Sequence, residues 1–193
     1  MNRTLTSSFA LSALAVAGLL AAAPALADQK LVPAQSEIQF VSKQMGVPVE
    51  GRFKKFDAQI AFDPAKLATS KIAFTVDTGS ATLGVPESDA ELPKAPWFNV
   101  PKFPQATFQS TAIKALGGGK FEVAGKLTIK GQTQDVVAPA TLTQSGATTT
   151  ATGTFTLKRL AFKIGEGEWT DTSMVANDVQ VKFKLALTGV GKL

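Results

Sequence analysis

The chain has no cysteine, no histidine and no tyrosine among its 193 residues. Each absence excludes something. Without cysteine no disulfide braces the fold, so a sizeable apolar core must hold it. Without histidine the commonest general base and the commonest metal ligand are missing. The two absences together remove the ligand set of a structural zinc site and rule out Ser-His-Asp and Cys-His hydrolases. Charge is sparse as well, at 18% of residues with a net excess of +5. The only basic doublets are Lys54-Lys55 and Lys158-Arg159. Nucleic-acid-binding domains concentrate positive charge on one face, and this chain does not. The charge therefore belongs to a solvated surface.

The one long apolar run sits at the N-terminus. Asn2 and Arg3 open it, Phe9 to Leu20 form an apolar stretch, and Ala25-Leu26-Ala27 supplies the small-x-small pattern of a signal-peptidase site. Pro24 disfavours helix at Ala23 and so presents an extended segment for cleavage. The alternative is an uncleaved anchor, since the run approaches the roughly 20 apolar residues that span a bilayer. It is Ala-rich, however, contains Ser12 and Pro24, and is followed by no basic stop-transfer flank. The expectation is a secretory signal over 1–27, cleaved after Ala27, and a single domain over 28–193 working in the periplasm. Cleavage leaves 166 residues and a charge of +4, because Arg3 is the only charged residue removed. That length is enough for one domain with its own core.

The remaining chain is dominated by period-two alternation, the mark of half-buried strands. Ile38 and Phe40 alternate with Glu37, Gln39 and Val41. Ala58, Ile60 and Phe62 alternate with Asp57, Gln59 and Ala61. Similar runs pass through Ile72-x-Phe74-x-Val76, Phe108, Phe121 to Ile129, and Thr148 to Leu157. The cleanest is Val179-x-Val181-x-Phe183-x-Leu185-x-Leu187. Turn signals separate them at Gly46-Val-Pro48, Asp63-Pro64, Gly79, Gly117-Gly118-Gly119, Lys130-Gly131-Gln132 and Ser145-Gly146. About eight short strands joined by turns predict an all-β sandwich or barrel. One segment breaks the pattern. From Leu83 to Pro104 five prolines forbid a strand or long helix, leaving a long connection laid across the barrel. Ser88 is a candidate cap for one helical turn through Ala90 and Glu91.

The sequence at this point resembles the YceI-like family, the polyisoprenoid-binding proteins of the bacterial periplasm. The resemblance is carried by four segments in order. Val49, Gly51, Phe53 and Phe56 match the family's opening hairpin. Asp89, Leu92, Trp97-Phe98, Phe103-Pro104, Phe108 and Ser110 match the D-x-x-L…W-F…F-P-x-x-x-F-x-S pattern. GKLTIKGQT matches its G-x-L-T-I-x-G-x-T segment, and Arg159, Phe162, Ile164-Gly165 and Trp169 its closing R-x-x-F-x-I-G…W. Two departures are visible. Lys163 stands where the family often has glycine, and Leu160-Ala161 stand where an acidic residue often follows the arginine. The resemblance implies a lipocalin-like antiparallel β-barrel of about eight strands, wide enough inside for one slender ligand. It also implies an apolar tunnel for a long isoprenoid lipid, a polyprenyl phosphate or a quinone tail, with no cofactor and no metal.

Residues then sort into roles. The twelve phenylalanines beyond Phe9 bring apolar area without a polar handle. The candidates for tunnel lining are Phe40, Phe53, Phe74, Phe108, Phe155, Phe162 and Phe183, each equally explicable as ordinary core. Trp97 and Phe98, in the proline-rich connection, form either a lid over the opening or a plug beneath the loop. Trp169 closes or lines one end, and Arg159 is the candidate to clamp a head-group oxygen, its alternative being an exposed charge. Glu166, Glu168 and Asp171 crowd one loop, where they are either solvated or the only material for acid–base or metal chemistry. The expected function is a non-enzymatic periplasmic carrier, near a membrane but not integral to it, free of nucleic acid, with homodimerisation through an edge strand open. The rivals are a stress-related structural protein with a filled core, and an enzyme with one of those three carboxylates buried in the cavity.

Overall fold

The computed structural model describes residues 29–193; the expected signal segment lies outside the described residues. Where alternation is strongest the chain forms strands, and these make one antiparallel sheet. The strands are β1 (Lys30–Leu31), β2 (Glu37–Gln44), β3 (Val47–Phe53), β4 (Phe56–Ala61), β5 (Lys71–Asp77) and β6 (Ala81–Thr82). After helix α1 (Pro86–Asp89) come β7 (Gln105–Gly117), β8 (Lys120–Ile129), β9 (Gln132–Ser145), β10 (Thr148–Lys158) and β11 (Asp178–Thr188). The sheet runs β4-β5-β7-β8-β9-β10-β11-β2-β3-β6, with β1 paired to β11. This is the lipocalin-like architecture expected, with a slightly different strand count. Nine strands of six or more residues build the wall, and β1 and β6 are two-residue fragments.

The additional long strand is β9. Its inward face carries Ala138 and Ala140, so its alternation has little contrast. It also contains Pro139, which lies beyond the last β9–β10 pair, Thr141 opposite Thr152, where that edge of the strand is no longer paired.

The wall curls until its two ends meet without a continuous ladder between β3 and β4. Short bonds hold the seam. At Lys54-Lys55 the backbone N–H groups donate to Ser80 O at 3.1 Å and Ser80 Oγ at 3.0 Å. At the far end β1 continues the line of β2 along β11, and Gln29 completes the closure. Its side-chain amide donates to Phe62 O at 2.7 Å and accepts from Phe62 N at 2.8 Å, as a strand neighbour would.

The proline-rich connection caps one end. Its helix starts with Pro86 in the first turn and has no side-chain cap; Ser88 lies inside the turn and does not precede it. The organising group is Asp89, whose carboxylate accepts from Thr82 Oγ1 and Leu83 N, both at 2.5 Å. The hydrogen bond from Thr82, followed by that from Leu83, holds the Asp89 carboxyl below the usual range. Leu92 and Phe98 are buried beneath the connection, in a core with Ile129, Leu157, Phe162 and Ile164.

Candidate functional site

Behind this cap lies a cavity of about 540 Å³. Its lining alternates along the strands as the pleat requires: Phe40 and Ser42 on β2, Ile72, Phe74 and Val76 on β5, and Val179 to Leu187 on β11. Apart from the indole N–H groups of Trp97 and Trp169, five lining side chains have polar groups: Ser42, Gln44, Ser88, Glu91 and Arg159. Four of the lining residues are exposed, namely Gln44, Met45, Glu91 and Met174. All four belong to the capped end, so the cavity opens there, between the β2–β3 turn, the segment after α1 and the loop before β11.

The predicted lining residues are largely brought together here. Phe40, Phe53, Phe74, Phe108, Phe155 and Phe183 face the cavity, as do Trp97, Phe98 and Trp169. Phe40, Phe74, Phe108, Phe155 and Phe183 point inward yet are only half-buried. In a filled core they would be fully buried, so the filled-interior alternative does not describe this molecule. Phe162 is the exception among the ten. It is 1% exposed and packs in the core below a 3₁₀ turn at Arg159–Phe162, away from the cavity. Phe62 and Phe121, not predicted, line the cavity with rings edge to face at 5.4 Å. Phe62 closes one alternating run and Phe121 opens another, which is the signal that was available.

The inward phenylalanines keep the lumen open through glycines. A Cβ built on Gly51 would stand 2.3 Å from Phe40 Cζ, one on Gly125 2.4 Å from Phe108 Cζ, and one on Gly153 2.3 Å from Phe183 Cζ. Each ring lies flat over bare backbone and lines the wall, where a larger neighbour would force it into the centre.

Trp97 and Trp169 meet at the open end with centroids 5.5 Å apart. Their segments are tied by Gly165 N and Glu166 N, which donate to Pro96 O at 2.8 and 3.0 Å. Phe98 packs edge-on against Phe53 at 5.8 Å. The connection is therefore both plug and lid: Phe98 seats it, and Trp97 borders the opening.

Arg159 corrects two expectations. It is neither an exposed charge nor a free head-group clamp. It is 2% exposed, and each of its five N–H groups is committed to a backbone carbonyl. Nε donates to Ala176 at 3.0 Å, Nη1 to Ile164 and Gly165 at 2.9 and 3.2 Å, and Nη2 to Trp169 and Val175, each at 2.6 Å. Burial lowers its pKa from the ordinary value. The missing acidic neighbour at Leu160-Ala161 is thus replaced by five carbonyl dipoles. The three loop carboxylates are all exposed, and none lines the cavity. Glu166 accepts from Lys130 Nζ at 2.8 Å, and that hydrogen bond is the main cause of its lowered pKa. Asp171 accepts from Ser173 Oγ and N at 2.7 and 2.8 Å, which lowers its pKa in the same way. The arrangement that an enzyme on this fold would need, a carboxyl buried in the cavity, is not what these three residues form.

Comparison with known proteins decides the family. The YceI-like domain matches residues 29–187. The chain belongs to the YceI-like family. A UPF0312 protein of Pectobacterium atrosepticum is 35% identical over 147 residues, covering 76% of this chain and 75% of that one. A UPF0312 protein of Vibrio cholerae is 36% identical over 114 residues, and the match spans 60% of its length and 58% of this chain. Among solved structures, BcnA of Burkholderia cenocepacia has a TM-score of 0.78 at 49% identity, covering 81% of this chain and 98% of that one. A polyisoprenoid-binding domain from Saccharophagus degradans shares the fold at TM-score 0.68 and 16% identity, covering 83% of this chain and 98% of its own.

Proposed function

We propose that this chain is a periplasmic carrier that holds the tail of a long isoprenoid lipid in its cavity. One observation carries the reading: an apolar chamber of about 540 Å³, open at one end and walled by phenylalanines held flat over glycines. Family membership supports it, and so does the fold shared with a polyisoprenoid-binding domain. The driving force is burial, at about 0.8 kcal/mol for each methylene removed from water, so a long tail binds with little polar recognition. The tail fills the chamber and the head group remains at the mouth. There Ser42, Gln44 and Ser88 offer neutral hydrogen-bonding groups, while the only cation in the lining, Arg159, has no donor to spare. A neutral head group such as a quinone suits that mouth better than a phosphate. Export by residues 1–27, with cleavage after Ala27, puts the domain on the same side of the inner membrane as its ligand.

Native mass spectrometry of the mature protein purified from periplasm tests this. The expected spectrum carries one adduct of several hundred daltons that disappears on denaturation. A clean apo mass from freshly extracted protein contradicts the proposal.

A further inference from the structure

The mouth has an apolar surface outside it as well as inside. Met45 is 72% exposed, Val47 63%, Val85 48% and Met174 45%, and these are four of the seven large exposed hydrophobic residues among those described. They converge on the cavity opening. Met45 N donates to Met174 O at 2.9 Å, joining the β2–β3 turn to the loop before β11. Val85 follows β6, which runs antiparallel to β3 and leads the chain back toward that same turn.

Met45 is conspicuous for a second reason. It and Gly46 form a two-residue turn with φ of +48° and +81° between the paired Gln44 and Val47. Such turns favour Asn-Gly, because the first position is left-handed. The molecule contains an internal comparison. Lys130-Gly131 makes the same turn, at +48° and +73°, and there the non-glycine side chain is repaid. Lys130 Nζ is buried and donates to Ala95 O and Lys163 O at 2.7 Å and to Glu166 at 2.8 Å. Among the described residues nothing repays Met45 in that way: its side chain is left mostly exposed. Backbone strain combined with an exposed apolar side chain directs attention to something outside the chain.

The chemistry of the collar indicates what that is. QMGVPV over 44–49 and TSMVAN over 172–177 contain no charged residue. The charges that directly flank these segments are Lys43, Glu50, Asp171 and Asp178, so the collar carries no basic cluster that would seek an anionic surface. The collar also continues the apolar lining of the chamber, since Met45 and Met174 belong to both. We infer that the mouth docks on a neutral phospholipid surface, with Met45, Val47, Val85 and Met174 entering the interface so that the ligand passes from bilayer to chamber without crossing water. This rests on the proposed lipid-carrier reading.

The absence of cysteine makes the test clean. The mature protein, with a single Met45→Cys bearing an environment-sensitive fluorophore, is mixed with phosphatidylcholine vesicles containing no isoprenoid, and co-sedimentation is measured in parallel. A Ser145→Cys variant labels the opposite end. The expected result is sedimentation with the vesicles and a blue shift at position 45 alone. Unlabelled Val47→Asp/Val85→Asp, two collar residues outside the cavity lining, should sediment at least tenfold more weakly, and should take isoprenoid from vesicles at least tenfold more slowly, while still folding and still binding it from detergent. Three results overturn the inference: no association, association requiring phosphatidylglycerol and abolished by salt, or a shift explained by self-association that the Asp variant removes. Because the vesicles lack isoprenoid, loss of docking with an occupied chamber refutes the docking surface alone, and an empty chamber refutes the carrier reading alone.

Discussion

The Phe40 ring lies across Gly51, its partner on the neighbouring strand, so closely that a Cβ on Gly51 would meet three ring carbons at 2.3 to 2.8 Å. At Gly125 and Gly153 the added atom would also meet backbone, Gln109 O and Pro139 O, so substitution there disturbs the sheet itself. At Gly51 the three nearest atoms all belong to the ring. Gly51→Ala should therefore tip Phe40 into the lumen, shrink the chamber and weaken ligand retention about tenfold, near 1.4 kcal/mol. The stability cost should stay within the roughly 1–3 kcal/mol of local overpacking. Ligand occupancy by native mass spectrometry, beside a urea melt, separates the two effects.

Arg159 should behave as a structural residue. Arg159→Met strips five carbonyls of their donor, and each buried unsatisfied group costs about 1–3 kcal/mol, so the loss should exceed about 3 kcal/mol. Arg159→Lys should not rescue it, because an ammonium cannot reproduce a planar five-donor fork. A variant that keeps its melting temperature and loses only ligand would return Arg159 to the head-group role.

Lys163 holds φ at +55° at the end of the Arg159–Phe162 turn, the left-handed region that glycine occupies without steric cost. Lys163→Gly, which restores the residue the family often carries there, should stabilise the domain by about 1 kcal/mol. The backbone carbonyl that accepts from Lys130 is retained, and the remaining loss is the weak attraction between the Lys163 charge and the exposed Glu166. Chemical denaturation of both proteins at one pH measures the difference.

The Lys130–Glu166 pair predicts a pH dependence. The folded state holds the Glu166 carboxyl below its ordinary value of 4.5, so its contribution is fully present above that pH and is lost as pH falls through the lowered value. The Glu166 side chain is half-exposed, which limits the effect to less than about 1 kcal/mol. Glu166→Gln should be slightly less stable than the parent at pH 7 and indistinguishable from it near pH 2. A difference that persists undiminished in acid would assign the effect to packing.

Much of this architecture was legible in the alternation of residues. Runs through Ile60, Phe74, Phe108 and Phe183 became strands because one face met the lumen and the other met water. The Gly-containing turns at 46, 131 and 146 appear where left-handed backbone is needed, with φ of +81°, +73° and +58°. β9 was obscured because alanine lines its inner face and Pro139 interrupts it. Phe162 was placed in the tunnel because a phenylalanine one turn from the cavity carries the same local pattern as one inside it. The role of Arg159 was not legible at all. Its five partners are backbone carbonyls from residues 164 to 176, and carbonyls leave no trace in side-chain identity. The Phe–Gly stacking depends on cross-strand register, which sequence alone does not reveal.

The central claim is that the chamber binds one long isoprenoid tail. The direct measurement is a titration of delipidated protein with neutral isoprenoids of increasing chain length, followed through the fluorescence of Trp97 and Trp169 at the mouth. The account predicts saturation at one ligand per chain, with affinity rising as units are added until the chamber is full and levelling beyond that. Fluorescence that never saturates, or affinity indifferent to chain length, would contradict it.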